Sequence, residues 1–309
     1  MPYQENTPGQ NQTDPLKEAP DTAETFTGYV SMVRRELGVR NVEHTVQLGL
    51  ETDPSLLSPE QLLEAVWNKK AADWIGVETQ TAYYATMQTL LHYMNLQKAG
   101  NQQIVSVGSG PGLYELYLAT LFEKRLGKHR PTIVCTDFSE EMTRIQRNIH
   151  SITKAKEGVV LDRVRMETQN MTNLRMKTKS VDQLICNNTL QWVPNWRQAI
   201  KEMARVITPT KTGYLYIFLN ENPMTSLSTA EGETVLELPN APIDEIIETF
   251  EQNRFQVVAS RHLTSPDGQD GYLQRRFFMA EYRAMGKIQP WKSVQPSQLG
   301  TSYTFTKKR

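Results

Sequence analysis

The chain has 309 residues, of which 39% are hydrophobic and 22% charged, a composition ordinary for a soluble globular protein and sufficient for one α/β domain with additions. Lysine plus arginine and aspartate plus glutamate each number 34, so the formal net charge is zero and no nucleic-acid partner is expected. No apolar stretch approaches the ~20 residues of a membrane span and no secretory signal is recognisable, so we expect no membrane contact and a cytoplasmic location.

The first hundred residues divide into a polar tail and a helical region. Residues 1–24 are rich in proline, glutamine and threonine and are predicted to be a disordered tail. Residues 25–100 carry apolar positions at helical spacing and are predicted to form an N-terminal helical cap. Within this cap, Ser58-Pro59-Glu60-Gln61 matches a capping box with proline at the first helical position. A second long helix is expected over residues 78–96.

Residues 101–309 alternate short β-rich runs with helical stretches. This alternation predicts an α/β fold with a doubly wound, seven-stranded and mostly parallel sheet, in a Rossmann-like arrangement. The predicted strands cover residues 104–107, 132–136, 164–168, 181–187, 214–219, 255–260 and 302–306, the last of them antiparallel. The predicted helices cover residues 113–126, 140–149, 196–207 and 243–253. Cys135 and Cys186 fall within two of the strands, where buried thiols are expected rather than a disulfide or a metal site.

The sharpest local pattern is a glycine-rich turn after the first strand. The stretch IVSVGSGPG places Gly108, Gly110 and Gly112 at alternate positions before an amphipathic helix. Without side chains at these positions the backbone turns tightly, and the N-terminus of the helix directs its N–H groups at a ligand. A dinucleotide fingerprint would need a glycine where Leu113 stands, and no Lys-Ser or Lys-Thr pair follows as in a P-loop. We therefore expect the loop, with Ser109, to bind an adenosine ligand that has no phosphate chain.

Candidate ligand contacts also follow the second and third strands. Asp137 ends the second strand, where a carboxylate is placed to accept hydrogen bonds from both ribose hydroxyls. The alternative role for Asp137 is the N-cap of the helix that follows. Phe138 is a candidate for contact with the adenine ring, and Asn170 and Met171 are candidates for reading the adenine edge. A plain turn residue is the alternative interpretation of Asn170.

Taken in order, these segments resemble the class I S-adenosylmethionine-dependent methyltransferases over roughly residues 67–260. The glycine loop is similar to the first motif of that family, and the stretch TDFSEEM looks like its acidic-loop motif. The stretch SVDQLICNNTLQWVP resembles its fourth strand and the loop after it. The resemblance implies S-adenosylmethionine as the cofactor. It adds Met142 and Asn187 to the cofactor-binding candidates given above.

Two further stretches suggest a subgroup. Trp67-Asn68 and NTLQWVP are similar to small-molecule methyltransferases that esterify carboxylates, such as trans-aconitate and malonyl-carrier-protein methyltransferases. This likeness implies a small-molecule acceptor that is methylated on a carboxylate or hydroxyl oxygen by in-line displacement. Position in the chain assigns the acceptor pocket to Trp74, Tyr83, Asn188, Gln191 and Trp192. No catalytic base is evident, since His92 lies on a helix that also offers core positions, and His150 and His262 have no partner recognisable in the sequence.

One departure from the family pattern keeps an alternative open. The first motif usually opens with Asp or Glu, whereas Ser106 occupies that position here. A non-catalytic methyltransferase-like module, which binds the cofactor or a partner without transferring a methyl group, is therefore the second hypothesis. A nucleic-acid or protein methyltransferase is disfavoured by the neutral charge and the lack of an Asn-Pro-Pro-Tyr signature. A nicotinamide dehydrogenase is disfavoured by the glycine spacing.

Overall fold

The structure is a computed structural model that describes residues 22–39, 56–77, 80–94, 101–209, 213–221, 226–228, 234–238, 241–263, 275–288 and 290. Its helices are α1 Thr22–Leu37, α2 Pro59–Val77, α3 Gln80–Tyr93, α4 Leu113–Leu126, α5 Glu140–Glu157, α6 Trp196–Val206 and α7 Ile243–Gln252. Its strands are β1 Gln103–Val107, β2 Thr132–Asp137, β3 Val164–Thr168, β4 Gln183–Asn187, β5 Tyr214–Asn220, β6 Ser226–Ser228, β7 Thr234–Glu237, β8 Phe255–Leu263 and β9 Arg275–Tyr282.

Seven of these strands form one mixed sheet in the order β3-β2-β1-β4-β5-β9-β8. Strand β1 pairs in parallel with β2 on one side and with β4 on the other, and the parallel pairing continues to β3 and β5. Strand β9 runs antiparallel to both β5 and β8. The short strands β6 and β7 form a separate ribbon. The predicted seven-stranded, mostly parallel α/β fold is therefore confirmed.

Helices cover both faces of the sheet and produce two hydrophobic cores. On one face, α4 and α5 share a core with α1 and α3. On the other face, α6 and α7 pack on β1, β4 and β5. This double cover explains why the central strands are almost continuously apolar, because parallel strands buried on both sides have no solvent-facing positions. Both cysteines are buried free thiols in these strands, as predicted.

The N-terminal helices contribute directly to the core. Phe26 of α1 packs against Tyr114 and Tyr117 of α4, with ring centroids 5.2 and 4.9 Å apart. Tyr93 of α3 stacks on Phe277 of β9 at 4.8 Å. These contacts make α1 and α3 part of the helical layer beneath the sheet. Among the described helices, none combines the length and apolar character needed to cross a membrane.

The start of α2 confirms the predicted capping box. The Ser58 backbone N–H donates to Gln61 Oε1 at 3.0 Å, and the Gln61 N–H donates to Ser58 Oγ at 3.2 Å. These reciprocal bonds satisfy donors that have no partner within the first turn of a helix. Helix α1 begins at Thr22, so it includes the last three residues of the predicted tail.

The seventh strand of the sheet differs from the prediction. The run at residues 302–306 lies outside the described residues, and the position beside β5 is filled by β9 instead. The sequence of β9, RRFFMAEY, contains charged residues at both ends, so its buried positions are not recognisable from the sequence alone. Arg275 is only 1% exposed, and its guanidinium donates to Thr86 Oγ1 at 3.3 Å. Helix α5 also runs eight residues past its predicted end at Ile149, since the capping glycine is Gly158.

Candidate functional site

A cleft opens at the carboxyl ends of β1, β2 and β4. The chain leaves β1 toward β2 on one side, and β4 lies on the other, so the strand order reverses at β1. Ligands of doubly wound sheets bind at such a reversal because the loops diverge there and leave a crevice. The cleft encloses about 1160 Å³, including the space open to solvent at its mouth.

The glycine loop forms the floor of this cleft, and neighbouring side chains hold it. Gly108 has a positive φ of 61°, and a Cβ there would lie 2.0 Å from Thr189 Cγ2. The Thr189 hydroxyl donates to the Gly108 carbonyl at 2.9 Å. From α5, the Gln146 side-chain NH₂ donates to Ser109 Oγ at 2.9 Å and to the Gly110 carbonyl. The loop is therefore pinned from two sides, and only glycine fits beside Thr189.

Asp137 connects the end of β2 to the glycine loop. Its Oδ2 accepts the Gly110 backbone N–H at 2.9 Å, and its Oδ1 accepts the Ser139 N–H at 3.0 Å. The N-cap of α5 is Ser139, whose Oγ accepts the Met142 N–H at 3.1 Å, so capping is not the role of Asp137. Burial raises the pKa of Asp137 to about 6, although the backbone hydrogen bonds act in the opposite direction. A carboxylate offers about four acceptor sites, so these backbone bonds leave room for a ligand hydroxyl.

The same turn anchors helix α2 across the cleft. Asn68 Oδ1 accepts hydrogen bonds from Ser139 Oγ at 2.7 Å and from the Glu141 backbone N–H at 3.3 Å. Ser139, the N-cap of α5, therefore makes a second side-chain hydrogen bond, which connects helix α2 to the loop next to Asp137. As a result, α2 lies over the cleft and its residues line it.

The candidate adenine contacts surround one part of the cleft. Phe138, Met142 and Met171 all line it, and the two methionines are almost completely buried. Asn170 also lines it, but its Oδ1 accepts hydrogen bonds from the Thr172 backbone N–H and hydroxyl at 2.9 and 2.8 Å. Asn170 thus forms the turn that was its alternative interpretation, and a ligand here would contact its amide NH₂ group.

The loop after β4 brings a polar group to the opposite wall. Asn187 lines the cleft, and its buried Oδ1 has no hydrogen-bond partner among the described residues. A buried acceptor without a partner is costly unless a ligand or water satisfies it. Asn188 follows in a left-handed conformation with φ 51°. Such backbone geometry is uncommon outside glycine and is most often tolerated by asparagine.

Three tryptophans form an aromatic wall at the mouth of the cleft. Trp67 and Trp74 are two helical turns apart on α2, and Trp192 belongs to the 3₁₀ turn Leu190–Trp192 after β4. Trp67 makes edge-to-face contacts with Trp74 at 4.7 Å and with Trp192 at 5.0 Å. The Trp74 ring lies over the glycine loop, 3.7 Å from the point that a Cβ at Gly110 would occupy.

Ser106 replaces the acid that the family usually has at this position, but a carboxylate from another element lies beside it. The Ser106 hydroxyl donates to Glu115 Oε1 at 2.6 Å. Ser106 is 0% exposed and Glu115 is 1% exposed, and Glu115 is one of the residues that line the cleft. Glu115 stands in the first turn of α4, where the helix dipole favours a negative charge.

The structure brings most of the predicted site residues to this one cleft. They are Trp74, Gly108, Ser109, Gly110, Asp137, Phe138, Met142, Asn170, Met171, Asn187, Asn188 and Trp192. Gly112 is not among the lining residues, because it packs against Gln146 behind the loop. The side chain of Tyr83 lies outside the described residues.

Gln191 is the other predicted residue that the structure does not bring to the cleft. It is 3% exposed, and its amide is fully engaged with the backbone of Asn220. Its NH₂ donates to the Asn220 carbonyl at 2.9 Å, and its Oε1 accepts the Asn220 N–H at 2.7 Å. The 3₁₀ turn directs neighbouring side chains to different sides, so Trp192 faces the cleft while Gln191 secures the end of β5.

The histidines considered as bases also lie elsewhere. His150 Nε2 is 3.2 Å from the Leu161 carbonyl, and His262 Nδ1 is 2.8 Å from Glu221 Oε1. Neither these two nor the exposed His92 lines the cleft. Among the described residues, no histidine lines the cleft.

Several residues of the site escaped the sequence analysis. Gln146, Thr189 and Glu115 each act on the glycine loop or the strand before it through side-chain hydrogen bonds. Their spacing from the loop is set by the packing of α4, α5 and β4 against β1, and no local pattern marks them. Of the three, only Glu115 had a signal in the sequence. Ser106 replaces the usual acid, which suggests that a carboxylate from another part of the chain takes its place.

Comparison with known proteins agrees with this geometry. Residues 105–217 match the family model described as a methyltransferase domain. A comparison with curated proteins finds no match.

Among solved structures, the complex between the Haloferax volcanii Trm112 methyltransferase activator and a proposed methyltransferase has a TM-score of 0.52 at 14% identity, covering 70% of this chain and 97% of that one. A methyltransferase of Methanosarcina mazei has a TM-score of 0.47 at 18% identity, covering 60% and 94%. At 14% identity the likeness to the Haloferax volcanii structure concerns the fold alone.

The matched segment begins within β1 and ends within β5, so it contains the glycine loop, Asp137 and the loop after β4. The sheet order, the position of the cleft and the domain match agree on one cofactor, S-adenosylmethionine. The chain therefore has the Rossmann-like fold of S-adenosylmethionine-dependent methyltransferases, and its residues 105–217 match the methyltransferase-domain model.

Proposed function

We propose that this protein transfers the methyl group of S-adenosylmethionine to an oxygen of a small molecule, either a carboxylate or a hydroxyl. The observation that carries the proposal is one cleft in which the glycine loop and Asp137 face an aromatic wall of three tryptophans. A cofactor on the loop and an acceptor against the wall would share one opening. We further propose a cytoplasmic location, which suits an enzyme whose two cysteines are reduced and buried.

The residues of the cleft fit the cofactor. Asp137 would hold the ribose hydroxyls, and Phe138, Met142 and Met171 would enclose the adenine. Asn187 offers a buried oxygen that lacks a partner among the described residues, which suits the ammonium group of the methionine part. When bound, the cofactor supplies an electrophilic methyl group on a sulfonium that leaves readily. The protein's own task is then alignment, which contributes up to ~7–11 kcal/mol in well-oriented reactions.

The aromatic wall indicates the kind of acceptor. Three indole rings and the proline and valine after Trp192 give the mouth of the cleft an apolar surface. Among the described residues that line the cleft, none is lysine, arginine or histidine. These features favour a flat, mainly apolar acceptor whose oxygen reaches the methyl group. A carboxylate acceptor needs no base, whereas a hydroxyl needs its proton removed in the transition state.

The alternative function is a module that binds the cofactor or a partner without catalysis. The serine at position 106, in place of the usual acid, first suggested this alternative. A solved structure of similar fold contains the Trm112 activator, and a protein partner is therefore part of the alternative. The presence of Glu115 beside Ser106 argues against a degraded cofactor site, because a carboxylate still reaches this position.

Two measurements test the proposal together. Calorimetry with S-adenosylhomocysteine measures cofactor binding, and transfer of label from methyl-tritiated S-adenosylmethionine measures catalysis on matched pairs of phenols and benzoic acids. We expect binding of the cofactor product and transfer to at least one of the two classes. Binding without transfer to either class would favour the non-catalytic module. No heat on titration would overturn the assignment of the cleft.

A further inference from the structure

The buried pair of Ser106 and Glu115 carries an inference that goes deeper into the cofactor site. Ser106 lies in β1, two residues before Gly108, and its carbonyl accepts the Thr136 hydroxyl at 3.0 Å while its own hydroxyl donates to Glu115. Strand and hydrogen bonds thus hold the serine rigidly. Its hydroxyl in turn fixes one oxygen of the glutamate.

The environment of Glu115 makes a purely structural role expensive. Its neighbours on α4, from Leu113 to Phe122, are buried, and the glutamate itself is 1% exposed. Removing an ionised carboxylate from water costs several kcal/mol unless favourable partners offset it. A glutamine would accept the same hydrogen bond from Ser106 without a buried charge. Costly buried charges of this kind concentrate at functional sites.

The position of Glu115 shows which ligand its charge would meet. The residue lines the cleft at the end of β1, next to the loop that receives the cofactor. S-adenosylmethionine carries two cationic centres, the sulfonium and the α-ammonium, both in its methionine part. A carboxylate in the wall of a site with restricted water interacts strongly with such a cation.

We propose that Glu115, held by Ser106, is the carboxylate that binds the cationic methionine part of the cofactor. The pair replaces an acid on β1 with a serine on β1 and an acid on α4, so that the negative charge enters the cleft from the helix. The inference rests on the proposed cofactor, and it assigns to Glu115 the recognition of charge rather than of the adenosine part.

A set of three ligands and three variants tests this assignment. The ligands are S-adenosylhomocysteine, which keeps the α-ammonium, sinefungin, which adds a second amine near the position of the sulfonium, and methylthioadenosine, which lacks the amino-acid part. The variants are Glu115→Gln, Ser106→Ala and the exchange Ser106→Asp with Glu115→Ala. Calorimetry gives the affinities, and thermal unfolding confirms that each variant folds.

We expect Glu115→Gln to bind S-adenosylhomocysteine and sinefungin about 10- to 100-fold more weakly, as for loss of a charged hydrogen bond. Methylthioadenosine should bind within about threefold of wild type, because it offers no ammonium group. Ser106→Ala, which keeps the charge, should lose only a few-fold. The exchange variant returns a carboxylate to the same place from β1 and should recover most of the lost affinity.

The outcomes separate this inference from the proposed function. If wild type binds none of the three ligands, the cofactor assignment itself fails. If wild type binds them and Glu115→Gln weakens methylthioadenosine as much as S-adenosylhomocysteine, Glu115 only supports the loop and the inference is overturned. Unchanged affinity for all three ligands would overturn it as well. Should Glu115→Gln fail to fold, Glu115→Asp, which draws the charge back by one methylene, is compared with the same three ligands. A loss confined to S-adenosylhomocysteine and sinefungin supports the inference, and an equal loss for methylthioadenosine or no loss at all overturns it.

Discussion

The two sides of the cleft are built in different ways. The proposed cofactor side consists of the glycine loop and the turn after β2, two short segments held together by backbone hydrogen bonds to Asp137. The proposed acceptor side consists of Trp67 and Trp74 on α2 together with Trp192 after β4, which follows more than a hundred residues later in the chain. One side depends on atoms in fixed backbone positions, and the other on rings that pack against each other.

This difference teaches where specificity can change. A backbone loop pinned by Thr189 and Gln146 tolerates little, since each atom has a defined neighbour. Aromatic rings in edge-to-face contact can be exchanged for others of similar volume at modest cost. We therefore expect single atoms to matter on the cofactor side, and size and shape to matter on the acceptor side.

The largest expected effect is that of Gly108→Ala. A Cβ at this position would lie 2.0 Å from Thr189 Cγ2, so either the glycine loop or the loop after β4 must move. We expect cofactor affinity to fall about 100-fold, equivalent to ~3 kcal/mol. Denaturant unfolding should show a loss of roughly 1–3 kcal/mol from the clash, in addition to the ~1–2 kcal/mol that a side chain costs at a left-handed position. Calorimetry with S-adenosylhomocysteine measures the first effect.

Gly158→Ala is the matched control for that variant. Gly158 has φ 64°, close to the 61° of Gly108, but a Cβ there would meet nothing within 4 Å. It should pay only the left-handed backbone cost of ~1–2 kcal/mol and leave cofactor binding unchanged. If the two variants lost the same unfolding free energy and the same cofactor affinity, backbone strain rather than the contact with Thr189 would explain why glycine is needed at position 108.

A smaller effect is expected from Asp137→Asn, and it depends on pH. Because burial raises the pKa of Asp137 to about 6, the ionised fraction rises about tenfold from pH 5 to pH 7. Ribose hydroxyls donate to the ionised form, so wild-type affinity for S-adenosylhomocysteine should rise with pH by up to about tenfold. The asparagine variant should lack this rise and bind about 10- to 100-fold more weakly at pH 7.

The stability of the unliganded protein should respond in the opposite direction. A carboxyl group whose folded pKa is raised stabilises the fold when protonated, and this contribution is lost as the pH rises through about 6. The difference in unfolding free energy between wild type and Asp137→Asn should therefore shift by roughly 1 kcal/mol in favour of wild type from pH 7 to pH 5. A difference independent of pH would mean that Asp137 is already ionised throughout.

The smallest expected effect on the cofactor is that of Trp192→Leu. The substitution removes one ring of the aromatic wall and touches no hydrogen bond of the glycine loop, so affinity for S-adenosylhomocysteine should change by less than about threefold. The KM for the methyl acceptor should rise, and Trp192→Phe should restore much of it. A loss of cofactor affinity as large as that of Asp137→Asn would remove the distinction between the two sides.

The prediction from sequence succeeded where physical rules act over short distances. Helix α4 begins and ends where its pattern predicted, and the capping box of α2 forms as expected. The prediction missed strand β9, because its charged residues are not typical of a buried strand. Strand β9 opens with two arginines, and the burial of Arg275 beside Thr86 of α3 is visible only in the tertiary structure. The neighbours Gln191 and Trp192 likewise face different surroundings that no local pattern reveals.

By itself, the sequence determined the alternation of strands and helices, the glycine loop and the acid at the end of β2, because these depend on backbone conformation and on residues close together in the chain. Only the tertiary structure decided that Glu115 reaches Ser106, that Asn68 ties α2 to the N-cap of α5, and that three tryptophans meet at one opening. Such contacts depend on how helices pack against the sheet, and packing joins residues whose separation along the chain carries no signal.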